Sequence, residues 1–143
     1  MKTIAISMRV TESQNYFEKR NSISYDFISF LEYNGFVPLL IPNNLKDIKK
    51  FLQNFKIDGI ILTGGNNVNP KLYSNNDKLN DVYDERDNTE RELLNFAIDS
   101  KLPILGICRG FHFLNVFFGG KLENQIHGHS NRKHKLISIS NEF

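Results

Sequence analysis

The sequence predicts an α/β fold in which a mostly parallel sheet carries helices on both faces. Short, uninterrupted apolar segments occur at 59–62 and 103–107, and fully apolar strands are typical of a sheet that is buried on both faces. Longer segments with apolar residues at helical spacing alternate with the strands, as in chains built from βαβ units. A chain of 143 residues suits one domain, which we predict to span residues 1–143.

The first half of the chain is predicted to contain three strands and two helices. The first helix has apolar residues every three or four positions, and Asn34-Gly35 ends it because both residues tolerate a left-handed backbone. The third strand ends at Thr63-Gly64-Gly65. The predicted strands span 3–7, 36–41 and 59–62, and the predicted helices span about 22–34 and 45–55.

The second half begins with a polar loop from Asn66 to about Arg86. Asp87-Asn88-Thr89-Glu90 reads as a capping box, so we predict that the third helix begins there with Asp87 as its N-cap. A fourth strand over 103–107 continues directly into Cys108, and a helix over 111–118 ends at Gly119-Gly120. Segments 122–126 and 135–140 are predicted to be further short strands.

Composition argues against several classes of protein. The formal net charge is +2 and the lysines are spread along the chain, so no basic face for nucleic acid is predicted. A single cysteine excludes an intramolecular disulfide and a multi-cysteine metal site, and fits a reducing compartment. Residues 1–10 are interrupted by Ser7 and Arg9 and are too short and polar for a signal peptide or membrane span. We therefore expect a cytoplasmic protein without a membrane or nucleic-acid partner.

The strongest candidate site is the segment Gly106-Ile107-Cys108-Arg109-Gly110. It has the small-x-nucleophile-x-small form of a nucleophile elbow, whose central residue lies on a strained turn between a strand and a helix. Small residues two positions to either side let the strand and the helix approach closely. The helix then directs its N-terminal amides at the sulfur. The pattern predicts that Cys108 is a catalytic nucleophile, and a buried structural cysteine is the alternative.

The loop Thr63-Gly64-Gly65 follows the neighbouring strand. Glycine lets the backbone come close to a reacting group, so an amide of this loop, with Gly65 as the expected donor, would join the amide of Arg109 in an oxyanion hole. An ordinary turn after a strand is the alternative interpretation.

Further segments match one protein family. They are Gly59 to Gly65, Val68-Asn69-Pro70, Arg86-Asp87 with Glu90, Pro103 to Gly110, Leu114-Asn115 and Gly119-Gly120. In this order they resemble the class I glutamine amidotransferases, in the branch of the gamma-glutamyl-GABA hydrolases. Arg9-Val10, the segment 16–22, Gly128-His129 and His134-Lys135 also resemble an offshoot that hydrolyses gamma-glutamyl adducts of CDP-linked amines.

The resemblance implies a flavodoxin-like doubly wound sheet, a cysteine nucleophile, a gamma-glutamyl thioester and no cofactor. It also implies a small gamma-glutamyl substrate whose pocket includes Gly64, Asn67 and His112. The family usually has Asp where Asn67 stands and Gln where His112 stands. His112 follows Cys108 by four residues and would share its helix face, but the family places its catalytic base on a different loop.

The family's base belongs to a His-x-Glu pair, and this sequence contains no such pair. Its histidines are His112, His127, His129 and His134. We therefore expect the sheet to be C-terminally incomplete, with a complementing C-terminal chain as one partner. The function that the resemblance implies is cysteine-dependent hydrolysis of a gamma-glutamyl amide. The alternatives are a glutaminase subunit that delivers ammonia to a synthetase partner, and an inactive binding module. His127 and His129 are a poor ligand set without a nearby carboxylate or thiol, so no metal site is predicted.

Overall fold

A computed structural model describes residues 1–74 and 78–123 of the chain. The strands in these residues are β1 (Lys2–Ser7), β2 (Arg9–Glu12), β3 (Lys19–Ser22), β4 (Phe36–Ile41), β5 (Gly59–Leu62) and β6 (Ile104–Gly106). The α-helices are α1 (Tyr25–Tyr33), α2 (Ile48–Leu52), α3 (Asp84–Asp99) and α4 (Arg109–Phe117), and Pro70–Leu72 forms a short 3-10 helix. None of these helices is long and apolar enough to cross a bilayer.

Four of the strands form a parallel sheet in the order β4-β1-β5-β6. Each crossover passes through a helix, and the order is the one that begins a flavodoxin-like sheet. The predicted α/β class and the mostly parallel, flavodoxin-like sheet are confirmed. Because the strands are parallel, the loops that follow β1, β5 and β6 meet at one edge, where open α/β sheets bind their ligands.

The apolar side chains of the central strands alternate between the two faces of the sheet. In β5, Ile60 and Leu62 belong to the larger core cluster, which includes Leu52 of α2 and Leu93 of α3. Ile61 points to the opposite face and packs in a second cluster with residues of β1 and α1. Helices therefore cover both faces, as the continuous apolar runs predict.

Several boundaries differ from the predicted ones. The strands predicted over 36–41 and 59–62 are found with those bounds. Helix α1 begins later than predicted because the side chain of Ser24 caps it. Helix α2 is much shorter than the predicted 45–55, since Asp47 caps its N-terminus through the amide of Lys50 at 2.8 Å. Helix α4 begins directly after Cys108, two residues before the predicted start.

The capping box predicted at Asp87 is wrong. Helix α3 begins at Asp84, with Tyr83 at the N-cap position and no side-chain cap. Asp87 and Glu90 are instead buried inside the protein, where they form ion pairs with Arg109. A buried guanidinium requires charged partners. Both carboxylates therefore bind Arg109 and do not cap the start of the helix.

Two further differences concern short strands. The antiparallel pair of β2 and β3 was not predicted, because its residues are mostly polar and show no clear alternation. Of the strand predicted over 122–126, residues 122–123 are not extended into a strand. Its remainder, the strand predicted over 135–140 and the histidines at 127, 129 and 134 lie outside the described residues.

Candidate active site

Cys108 occupies the turn between β6 and α4. Its φ and ψ angles are 55° and −113°, and a positive φ at a residue with a side chain costs on the order of 1–3 kcal/mol. The side chain is exposed. A strained, exposed cysteine on a strand-to-helix turn has the backbone geometry of a nucleophile elbow.

Two glycines allow this turn to form. A methyl group on Gly110 would lie 2.2 Å from the carbonyl oxygen of Leu62 in β5. A methyl group on Gly106 would lie 2.7 Å from the carbonyl oxygen of Gly110. Side chains at either position would separate the helix from the strands. Close packing of backbone against backbone therefore explains why a glycine stands two positions before and two positions after Cys108.

The loop after β5 lies against Cys108. A methyl group on Gly64 would be 3.4 Å from Cβ and 3.7 Å from Sγ of Cys108. Gly65 and Asn66 follow with φ angles of 80° and 57°, and a methyl group on Gly65 would lie 2.9 Å from Cδ of Arg9. The structure therefore brings together the elbow and the glycine loop that the sequence singles out.

Four buried charges lie beneath this loop. Arg86, Asp87, Glu90 and Arg109 are each at most 2% exposed. Arg109 donates to both carboxylates, and Nε of Arg86 donates to Glu90 at 3.1 Å. We call these four residues the charge cluster. Because it holds two cations and two anions, its net charge is zero when all four are ionised.

Burial shifts the pKa values of two members of the charge cluster. It raises the pKa of the Asp87 carboxyl to about 6, although the Arg109 guanidinium and the amide of Asn69 oppose the shift. It lowers the pKa of Arg86 to about 10, partly offset by Glu90. Arg86 therefore remains a cation at neutral pH.

Arg86 also holds the glycine loop. Its Nη2 donates to the carbonyl oxygens of Thr63 at 2.9 Å and Gly64 at 3.0 Å, and its Nη1 donates to the carbonyl oxygen of Gly65. Nη1 also donates to Oδ1 of Asn66 at 2.8 Å. One guanidinium thus binds three consecutive carbonyl groups of the loop beside Cys108.

A cavity of about 250 Å³ adjoins these elements. Asn67, Arg109 and His112 all line it, so two predicted pocket residues meet there. The side-chain amide of Asn67 donates to the carbonyl oxygen of Asn80 at 2.9 Å, which fixes the side chain at the wall. His112 is exposed, one turn along α4 from Cys108.

The sequence patterns missed the charge cluster, although they contained a signal for it. Glu90 lies three, four and seven residues before Leu93, Leu94 and Ala97, which form the buried face of α3. A carboxylate on the apolar face of a helix requires a buried cationic partner. That spacing predicts a buried ion pair better than it predicts a helix cap.

Comparison with known proteins agrees with this architecture. The Peptidase C26 family matches residues 2–141. A glutamine amidotransferase-like protein of Lactococcus lactis, YvdE, is 38% identical over 108 residues, which are 71% of this chain and 45% of that protein. A gamma-glutamyl-gamma-aminobutyrate hydrolase of Escherichia coli O157:H7 is 34% identical over 102 residues, which are 70% of this chain and 40% of that protein.

These matches cover less than half of the length of either relative. Within this chain, the match to the family runs through the parallel strands, the glycine loop and the cysteine elbow. The chain belongs to the Peptidase C26 family of class I glutamine amidotransferase-like proteins.

Proposed function

We propose that this protein hydrolyses the amide bond of a small gamma-glutamyl compound, with Cys108 as the nucleophile. The observation that carries the proposal is the strained backbone of Cys108 at the start of α4, directly beside Gly64. Evolution retains such strain mainly where a reacting group must be held in place. The family membership supports amide hydrolysis in general.

The proposed reaction has two steps. The sulfur of Cys108 attacks the gamma-carbonyl carbon, the C–N bond breaks, and the amine leaves with the proton of the thiol. Water then attacks the resulting thioester, which releases glutamate and restores the thiol. The sum is one amide and one water converted to glutamate and one amine, so no cofactor is needed.

Backbone amides would stabilise the charge that develops on the carbonyl oxygen. The amide of Arg109 follows the nucleophile at the first position of α4, and the amide of Gly65 belongs to the loop that lies against Cys108. Two donors of this kind form the usual oxyanion hole of acyl-transfer enzymes. Gly64, Asn67 and His112 are the proposed walls of the glutamyl pocket.

Covalent capture on the 143-residue chain tests the proposal. A diazo-ketone analogue of glutamine should react with the thiol to form a thioether with loss of dinitrogen, and intact mass should show one adduct per chain. Peptide mapping should place this adduct on Cys108. Cys108→Ala is the matched control and should show no adduct.

Excess L-glutamate identifies specific capture, because it competes for the glutamyl pocket and should slow the reaction. A chain that reacts with iodoacetamide but not with the diazo-ketone would have an accessible thiol without a glutamyl site. That result would contradict hydrolysis of a gamma-glutamyl amide and leave an inactive binding module as the better explanation.

A further inference from the structure

We propose that Arg86 is a positioning residue that presents the amides of the glycine loop to the reacting carbonyl group, an inference that rests on the proposed function. Arg86 lies in α3, more than twenty residues from Cys108 in sequence, and is fully buried. Since its side chain faces the protein interior, it acts through the loop and not on the substrate.

Arg86 fixes the direction of the loop's peptide groups. No peptide bond in the described residues is cis, and in a trans peptide the carbonyl and the N–H point in opposite directions. Arg86 binds the carbonyl oxygens of Thr63, Gly64 and Gly65. The next amide in each peptide, from Gly64, Gly65 and Asn66, therefore points away from the guanidinium.

These three amides are available to a ligand. Across residues 1–74 and 78–123, none of them donates a hydrogen bond to another residue. Successive amides next to left-handed residues form anion-binding concavities in many proteins. Here Gly65 and Asn66 have positive φ angles, and Gly64, the first of the three residues, lies beside Cys108.

The charge of Arg86 also strengthens these amides as hydrogen-bond donors. A cation bound to a carbonyl oxygen polarises its peptide group, which makes the N–H of that group a stronger donor. Because Arg86 keeps its charge at neutral pH, the loop is polarised at three consecutive peptide groups. This effect needs no movement during the reaction, as preorganised stabilisation of an oxyanion requires.

Glu90 connects the two halves of the proposed oxyanion hole. It accepts from Arg86, which holds the glycine loop, and from Arg109, whose backbone amide is the other donor. Ser7 at the end of β1 donates to the same carboxylate at 2.9 Å and also accepts from the amide of Thr63 at 3.0 Å. The charge cluster therefore sets the separation between the loop and the start of α4.

The test compares two reactions of the same thiol. Both reagents alkylate the thiol at a saturated carbon, but only the diazo-ketone glutamine analogue carries a substrate-like carbonyl group whose oxygen must lie against the loop amides while the thiol attacks. In Arg86→Lys, which keeps the charge but lacks the planar guanidinium fork that spans the three carbonyl groups, we expect the maximal rate of diazo-ketone capture to fall about 10-fold to 100-fold. Alkylation by iodoacetamide should change less than about 2-fold, because this small reagent does not depend on being positioned by the loop amides.

Two other variants complete the design. Arg91→Lys makes the same change on the same helix at a partly exposed residue and should leave both rates at their wild-type values. Glu90→Gln keeps the size of the side chain and should separate the two rates as Arg86→Lys does. It also tests the inference if Arg86→Lys does not fold.

The concentration dependence of capture distinguishes positioning from general damage. A positioning role lowers the maximal rate with little change in the half-saturating concentration of the analogue. Equal loss of both reactions, or unchanged diazo-ketone capture in a folded variant, would overturn the positioning role of Arg86. Neither result would contradict the proposed function. If the wild-type thiol is alkylated but never captured by the diazo-ketone, both this inference and the proposed function are wrong.

Discussion

The substitution Gly110→Ala separates helix propensity from tertiary packing, because the two effects predict changes of opposite sign in the free energy of unfolding. Gly110 is the second residue of α4, and replacing glycine by alanine in a helix normally stabilises it by at most about 1 kcal/mol. In this fold the new methyl group would lie 2.2 Å from the carbonyl oxygen and 2.5 Å from the carbonyl carbon of Leu62. Those atoms belong to the backbone of a buried central strand and cannot rotate away.

Overpacking of a core typically costs about 1–3 kcal/mol, and a clash with fixed backbone belongs at the upper end of that range. After subtracting the propensity gain of about 1 kcal/mol, we expect the free energy of unfolding to fall by about 2 kcal/mol. Urea unfolding, followed by far-ultraviolet circular dichroism, should then show a midpoint about 1 M lower for an m value of about 2 kcal/mol/M.

Gly35→Ala is the matched control. Unlike Gly110, Gly35 follows the end of a helix and has a positive φ of 74°, and nothing lies within 4 Å of its added methyl group. Backbone strain alone should cost it about 1 kcal/mol. A Gly110→Ala variant as stable as the wild type or more stable would refute the close packing of α4 on β5.

Two further predictions concern the strain at Cys108 and the titration of Asp87. Cys108→Gly relieves the strained φ, so after the entropy cost of glycine it should be more stable than Cys108→Ala by about 1 kcal/mol. Urea unfolding of the two variants measures this difference, and equal stability would show that the turn is not strained. The pKa of Asp87 is about 6 in the folded protein and about 3.9 in an unfolded chain. The folded state therefore holds the proton more tightly, and the stability that Asp87 contributes is fully present below about pH 4 and declines as the pH rises through 6. The urea midpoint of the wild type should therefore fall relative to that of Asp87→Asn over that interval; a relative rise would mean that the ion pair with Arg109 dominates.

Local patterns predicted the parts of the fold that depend on neighbouring residues. The strands at 36–41 and 59–62 were predicted with their observed bounds, because continuous apolar segments are recognisable without knowledge of their partners. Helix ends were less predictable. Ser24 and Asp47 decide where α1 and α2 begin, and several polar residues near each helix could have served as caps.

In the candidate site too, sequence patterns predicted the features that neighbouring residues define and not the others. The spacing of Gly106, Cys108 and Gly110 indicated the elbow, since the strained turn tolerates only small residues two positions away. The roles of Asn67 and His112 rested on resemblance, and the structure adds only that both line one cavity. We assign the role of general base to none of the described residues.

The sequence by itself determined the parallel α/β class, the elbow at Cys108 and the glycine loop after β5, because periodicity and residue size act over a few neighbouring positions. Only the tertiary structure decided what Arg86, Asp87 and Glu90 do. Their partners lie about twenty residues away along the chain, and burial turns what reads as a helix cap into a charge cluster. Desolvated charges must find partners wherever the fold provides them, and no local pattern specifies where that is.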